Sequence, residues 1–229
     1  MLAAAVDGGS TVAVHPCVPV LEARDVTFGY APGTPVLDRW SAAFPAGSAT
    51  ALTGPSGRGK STLLYLLGLM LHPRSGEILV DGTPVAALRD AARARLRADL
   101  FGFVFQDAAL DQTRTVLDNV TETALYRGAS RPQAREAALG LLERFGVDVP
   151  PHRKPGQVSG GQAQRIALCR ALLNAPRVLL ADEPTGNLDP VTSELVVGAL
   201  REHAATGAAV VIVTHSPDVA AACDREIRL

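Results

Sequence analysis

Two short stretches carry residues whose types and spacing suit work on a phosphate. The first reads Gly54-Pro55-Ser56-Gly57-Arg58-Gly59-Lys60-Ser61-Thr62 and has the spacing of a phosphate-binding loop, glycines followed by a Lys-Ser pair. Glycines let backbone N–H groups turn inward around phosphate oxygens, and the positive end of a following helix adds to that field. Lys60 is then placed to reach the β- and γ-phosphates, and the Ser61 hydroxyl to ligate Mg²⁺. The second stretch, Val178-Leu179-Leu180-Ala181-Asp182-Glu183, sets two carboxylates where an apolar run ends. Asp182 suits Mg²⁺ held through its hydration shell, because Mg²⁺ keeps several waters and takes few carboxylates. Glu183, one residue on, can orient and deprotonate an attacking water. The plainer readings are a glycine turn before a buried helix and an acidic pair that caps a turn. The acidic pair as a mere cap leaves its partnership with the loop unexplained.

These residues need elements that bring them together. Ala49 to Thr53, Val178 to Ala181 and Val210 to Thr214 are apolar almost throughout and end in glycine or polar residues, as strands covered on both faces do. From Leu21 onward such runs alternate with helical patterns, which predicts an α/β fold with a largely parallel sheet. Ligands of open parallel sheets bind beyond the carboxyl ends of the strands. Gly54 to Lys60, Asp182, Glu183 and His215 are therefore expected along one rim. Leu63 to Leu71 is too short to span a membrane and reads as a buried helix.

Between Gln106 and Gln157 the strand pattern disappears. Ser130 and Gln133 have capping-box spacing, Pro132 lies in the first turn, and Ala134, Ala138, Leu141, Leu142 and Phe145 keep a helical period up to Gly146. An inserted helical subdomain follows. Arg89, Arg93 and Arg97, four residues apart, are expected on a solvated helix face. Residues 1–19 lack a sustained period and are expected to form a flexible leader.

Composition narrows the function. The formal net charge of the 229 residues is -1, so no global basic field points to nucleic acid. The three cysteines, Cys17, Cys169 and Cys223, have neither metal-ligand spacing nor a redox pair, which fits a reducing compartment. The start of the chain lacks the basic and apolar regions of a secretion signal. If the protein acts at a membrane, another polypeptide is expected to supply the span.

A third stretch, Val158-Ser159-Gly160-Gly161-Gln162, leads into an apolar helical run, with Ser159 and Gln162 spaced as a capping box. Physically it is a second helix amino terminus and a second anion site, which one ATP site has little use for. The stretch resembles the signature motif of ATP-binding-cassette (ABC) ATPases, with Val158 in place of the usual leucine, and the resemblance runs from about Leu21 to the end. It implies a P-loop NTPase fold: a mostly parallel central sheet, an N-terminal antiparallel β portion and a helical subdomain, about 107–175, inserted into one ATPase domain over 20–229. It also implies a dimer enclosing two ATP molecules, in which Ser159 and Gly161, flanked by Gly160 and Gln162, contact the γ-phosphate held by the opposite subunit.

Other positions resemble family motifs one by one. Gln106, in Phe103-Val104-Phe105-Gln106, is similar to the glutamine that senses Mg²⁺ and the γ-phosphate. Asn187-Leu188-Asp189 resembles the loop that passes information between the two sites. His215 resembles the switch histidine on the γ-phosphate, and Tyr30, in Phe28-Gly29-Tyr30, the aromatic that stacks on adenine. From the residues alone, His215 also reads as a structural histidine and Tyr30 as an aromatic closing a strand edge. Arg58, Val158 and Ala163 depart from the commonest family pattern, and none removes a group the chemistry requires.

The resemblance implies an ATPase with ATP and Mg²⁺ as cofactors, bound peripherally at the cytoplasmic face of a membrane to a separate permease. Glu183-Pro184-Thr185-Gly186-Asn187-Leu188-Asp189 is similar to the subgroup serving lipoprotein release, macrolide or peptide efflux and cell-division control. Rivals are an amino-acid or peptide importer, a mechanochemical ATPase controlling cell-wall hydrolysis, and a P-loop kinase, which has no use for Ser159 to Gln162. With Leu229 close after His215, no regulatory domain is expected there, and a final edge strand or hairpin stays open.

Overall fold

The computed structural model describes residues 18–229 except 32 and 187. Residues 1–17 of the expected leader, with Cys17, and Asn187 of the loop before Asp189 lie outside the described residues. Five strands form a parallel sheet in the order β6 (Phe101–Val104), β7 (Val178–Asp182), β8 (Ala209–Val213), β3 (Ser48–Thr53), β9 (Arg225–Arg228). A second, antiparallel sheet runs β2 (Leu37–Phe44), β1 (Leu21–Phe28), β4 (Ser75–Val80), β5 (Thr83–Pro84).

The central strands are buried along their whole length because both faces are covered. Leu179, Ala181, Val210 and Ile212 point into a core shared with α3 (Val116–Tyr126), α4 (Arg131–Arg144), α5 (Gly160–Leu172) and α6 (Pro190–Ala205). Val178, Leu180, Val211 and Val213 point to the opposite core, with the leucines of α1 (Lys60–Leu67) and the inner face of the antiparallel sheet. Period two along each strand thus divides its side chains between two cores.

Helices α3, α4 and α5 occupy the chain between β6 and β7, where the strand pattern fades. Ser130 and Gln133 close the expected capping box at the start of α4, and Gly146 follows its end at φ 59°. Burial pushes the Cys169 thiol on α5 up to about 12, so it behaves as a small apolar side chain.

One expectation changes, and one open point closes. Arg93, on α2 (Asp90–Leu100), is buried rather than solvated, donating from Nη2 to the Leu69 and Leu71 carbonyls at 2.6 Å each, and Arg97 Nη1 joins it on the Leu69 carbonyl at 2.7 Å. Carbonyls just past the end of α1 carry partial negative charge and accept cations, so these side chains turn inward. Arg89 stays exposed. The final edge strand exists: β9 lies parallel to β3 and closes one side of the sheet, reached through α7 (Pro217–Ala221), not through a hairpin. Among the described residues, no helix is long and apolar enough to cross a membrane.

Candidate functional site

Strands β3, β7 and β8 end side by side, and a cleft of about 800 Å³ opens at their carboxyl ends. From β3 the chain enters the Gly54–Gly59 loop and then α1. Gly59 is the N-cap of α1 at φ 87°, and a Cβ there would run into the Val36 side chain. No side chain caps α1 and no acidic residue stands in its first turn, so its first N–H groups face the cleft with their dipole field unopposed.

Lys60 is buried, and its ammonium donates to the Gly54 carbonyl at 2.8 Å and the Pro55 carbonyl at 2.9 Å. The cation thus ties the loop to the helix that follows. Asp182, itself buried, stands beside the Ser61 hydroxyl. Burial pushes the Asp182 carboxyl up, while Ser61, Lys60 and His215 pull it down. Hydroxyl and carboxylate oxygens side by side at the cleft floor are the hard donors Mg²⁺ prefers, with water and phosphate completing its shell.

Glu183 follows Asp182 at φ 46°, a left-handed conformation that costs a non-glycine residue on the order of 1–3 kcal/mol. The strain is held by its backbone: its N–H donates to the Val213 carbonyl at 3.0 Å, and its carbonyl accepts from the Gly186 N–H at 3.1 Å. The turn aims the carboxylate into the cleft, where Oε1 is buried without a hydrogen-bond partner and lies 3.6 Å from Nε2 of His215. A carboxylate oxygen facing the cleft in this way can serve as a general base toward a bound water. Tyr30 stands over the rim, its hydroxyl 3.1 Å from the Thr62 hydroxyl and its ring edge-on to Phe28, yet it is 69% exposed and offers an open face.

The cleft gathers Ser56, Gly57, Gly59, Lys60, Asp182, Glu183 and His215 of the expected rim, together with Tyr30, Ser61, Thr62 and Gln106. Gly54 and Pro55 line a neighbouring cavity behind the loop, and Arg58 is exposed. Ser159, Gly160, Gly161 and Gln162 do not line the cleft. There Ser159 accepts from the Gln162 N–H at 3.2 Å, Gln162 Oε1 accepts from the Ser159 N–H at 2.8 Å, Gly160 is exposed and Gly161 half-buried. Asp189 caps α6, accepting from the Thr192 N–H at 3.0 Å and its hydroxyl at 2.6 Å, and these bonds hold its carboxyl low.

Val36 and Gly186 also line the cleft without having been singled out. Two residues outside the cleft act on its wall: Gln164 and Arg170 of α5 bond the backbone around Gln106. Their only trace in the sequence is a polar pair inside an apolar helical run.

Comparison with known proteins gives the family. The family described as ABC transporter matches residues 37–186. The lipoprotein-releasing system ATP-binding protein LolD of Paramagnetospirillum magneticum is 46% identical over 185 residues, covering 80% of this chain and 82% of its own length. LolD of Anaeromyxobacter dehalogenans is 45% identical over 216 residues, at 92% and 90% coverage. The macrolide export ATP-binding/permease protein MacB of Burkholderia pseudomallei is 42% identical over 214 residues, which are 92% of this chain and 33% of that protein. Among solved structures, a dimeric ATP-binding cassette in a post-hydrolysis state with ADP and Pi superposes with a TM-score of 0.86 at 35% identity, covering 91% of this chain and 94% of its own.

Proposed function

This chain belongs to the ABC transporter family, and on that premise we propose that it is the ATP-hydrolysing subunit of an export or lipoprotein-release machine, working as a dimer on a separate membrane permease. The observation that carries the reading is the cleft itself, where the Lys60 loop, the Asp182–Glu183 pair, Gln106 and His215 share one wall while the Ser159 tip stands outside it. A site split in this way is complete only when a second subunit supplies the tip.

Each residue then has a part. Tyr30 receives the adenine on its open face. The glycine loop and the first N–H groups of α1 hold the triphosphate, and Lys60 turns from the Gly54 and Pro55 carbonyls toward the β- and γ-phosphates. Ser61 and Asp182, with Gln106, would hold Mg²⁺, which would neutralise charge on the phosphates. Glu183 takes the proton of the attacking water, and its free Oε1 is the acceptor. His215 donates to the γ-phosphate. Asp189, at the start of α6, faces the partner's site.

With the γ-phosphate bonded from both subunits, ATP holds the dimer and hydrolysis releases it. Losing about three charged hydrogen bonds of roughly 1.5–3 kcal/mol each weakens association by on the order of a thousandfold or more. The segment 107–175 acts as the helical subdomain that passes this motion to the permease at the cytoplasmic membrane face. Likeness to LolD across most of both chains favours export or extracytoplasmic work over an importer.

The test is Glu183→Gln. Its turnover is expected to drop at least about a hundredfold with Mg-ATP still bound, since general-base catalysis contributes about 10²–10⁴-fold. Light scattering should show an ATP-dependent dimer that ADP does not support. Normal turnover removes Glu183 as the base, and a variant that stays monomeric under saturating ATP with every sibling cassette removes the split site.

A further inference from the structure

Gln106 lies in a segment that does not hold its own shape. Ala108 and Ala109 sit at φ 61° and 45°, two consecutive alanines in the left-handed region, where the Cβ crowds the following carbonyl. No glycine relieves the strain. Within the segment, the Ala108 N–H donates to the Phe105 carbonyl at 3.0 Å, closing a turn directly around Gln106.

Support comes from α5. Gln164, 4% exposed, donates from Nε2 to the Phe105 carbonyl at 3.1 Å. Six residues on, Arg170 donates from Nη2 to the Ala108 carbonyl at 2.9 Å and from Nη1 to the Ala109 carbonyl at 2.7 Å. The three carbonyls flank Gln106, one before it and two after. Burial disfavours the Arg170 charge, with Glu122 and Asp107 opposing that effect. A guanidinium fork matches two adjacent carbonyls in a way a lysine ammonium does not.

We propose that Gln164 and Arg170 are positioning residues for Gln106: from α5 they clamp the strained Phe105–Ala109 turn, so that the Gln106 carboxamide is presented to the nucleotide cleft in one geometry. Neither touches nucleotide. The clamp rests on the reading of Gln106 as the residue that meets Mg²⁺ and the γ-phosphate.

The experiment uses the full chain, with Arg170→Lys and Gln164→Met each made alone and in a Gln106→Ala background. Two readouts are taken, amide hydrogen exchange and steady-state ATP hydrolysis, with thermal melting to show that the variants fold. Arg170→Lys is expected to speed exchange of the Gln106–Ala109 amides about tenfold, the scale of one lost charged hydrogen bond, while α1 amides keep their protection. It should lower kcat about tenfold with KM within about twofold, Gln164→Met doing the same to a smaller degree; in the Gln106→Ala background either change should move kcat by less than about twofold. Equal losses in both backgrounds, or unchanged exchange in the turn, overturn the clamp. Gln106→Ala hydrolysing at the parent rate overturns the assigned role of Gln106 instead, and the exchange measurement still decides whether the turn is held from α5.

Discussion

Helices α1 and α5 both begin at a glycine-rich turn, and they finish their amino termini in opposite ways. Gly59 offers α1 no side chain, so the first N–H groups of α1 stay open toward the cleft beside a buried lysine. Ser159 and Gln162 close a reciprocal capping box on α5, two hydrogen bonds that satisfy donors within the chain itself. An open terminus binds an anion without rearrangement, whereas a capped one first exchanges its own bonds for the new ones. Nucleotide affinity of a single subunit therefore belongs to α1. The α5 terminus contributes the difference between one subunit and two.

The largest test of this division is Lys60→Ala. Two or more charged hydrogen bonds to phosphate go, at roughly 1.5–3 kcal/mol each, so ATP affinity of the isolated chain should fall by about a hundredfold or more in equilibrium dialysis. The tie to the Gly54 and Pro55 carbonyls is lost with it. If affinity instead stays within tenfold of the parent, α1 is not the principal anchor and the contrast with α5 fails.

Ser159→Ala separates the two regions from the other side. Loss of the cap should cost about 1 kcal/mol of stability, visible as a lowered denaturation midpoint. ATP affinity of the monomer should change by less than about twofold, while ATP-dependent dimerisation in the Glu183→Gln background should weaken at least about tenfold, one charged bond per site. A matching loss of monomer affinity would place Ser159 in its own subunit's cleft and undo the division.

Both termini were legible in the sequence for a local reason. A capping box is written in residues three apart, and a phosphate loop in nine consecutive ones, so neither depends on the rest of the chain. The three apolar runs that stop at Thr53, Asp182 and Thr214 likewise gave the rim, since a doubly covered strand has to be apolar along its length. What stayed hidden are the arginine and glutamine anchors. Arg93, Gln164 and Arg170 all bond to main-chain carbonyls, of Leu69 and Leu71, Phe105, and Ala108 and Ala109. A carbonyl is present at every residue, so no side-chain pattern marks the acceptor. The four-residue spacing of Arg89, Arg93 and Arg97 defines a helix face but not what it meets. Strand β9 was obscured by its length of four residues and by charge, with only Ile227 apolar in Arg225–Arg228, which an edge position beside β3 permits.

The smallest effect sharpens where the α1 site ends. Tyr30 follows the end of β1 and reaches α1 through its hydroxyl at Thr62, while its ring face remains open. Aromatic stacking is worth about 0.5–1.5 kcal/mol, so Tyr30→Ala should weaken ATP binding by roughly two- to tenfold, and Tyr30→Phe by less, since the ring is kept and only the Thr62 contact is lost. Inorganic triphosphate, which has no base, should bind both variants as it binds the parent. Equal weakening for ATP and triphosphate would mean that Tyr30 supports α1 through Thr62, and would extend the phosphate-binding terminus outward to include it. An unchanged ATP affinity in Tyr30→Ala would remove the ring from the site altogether.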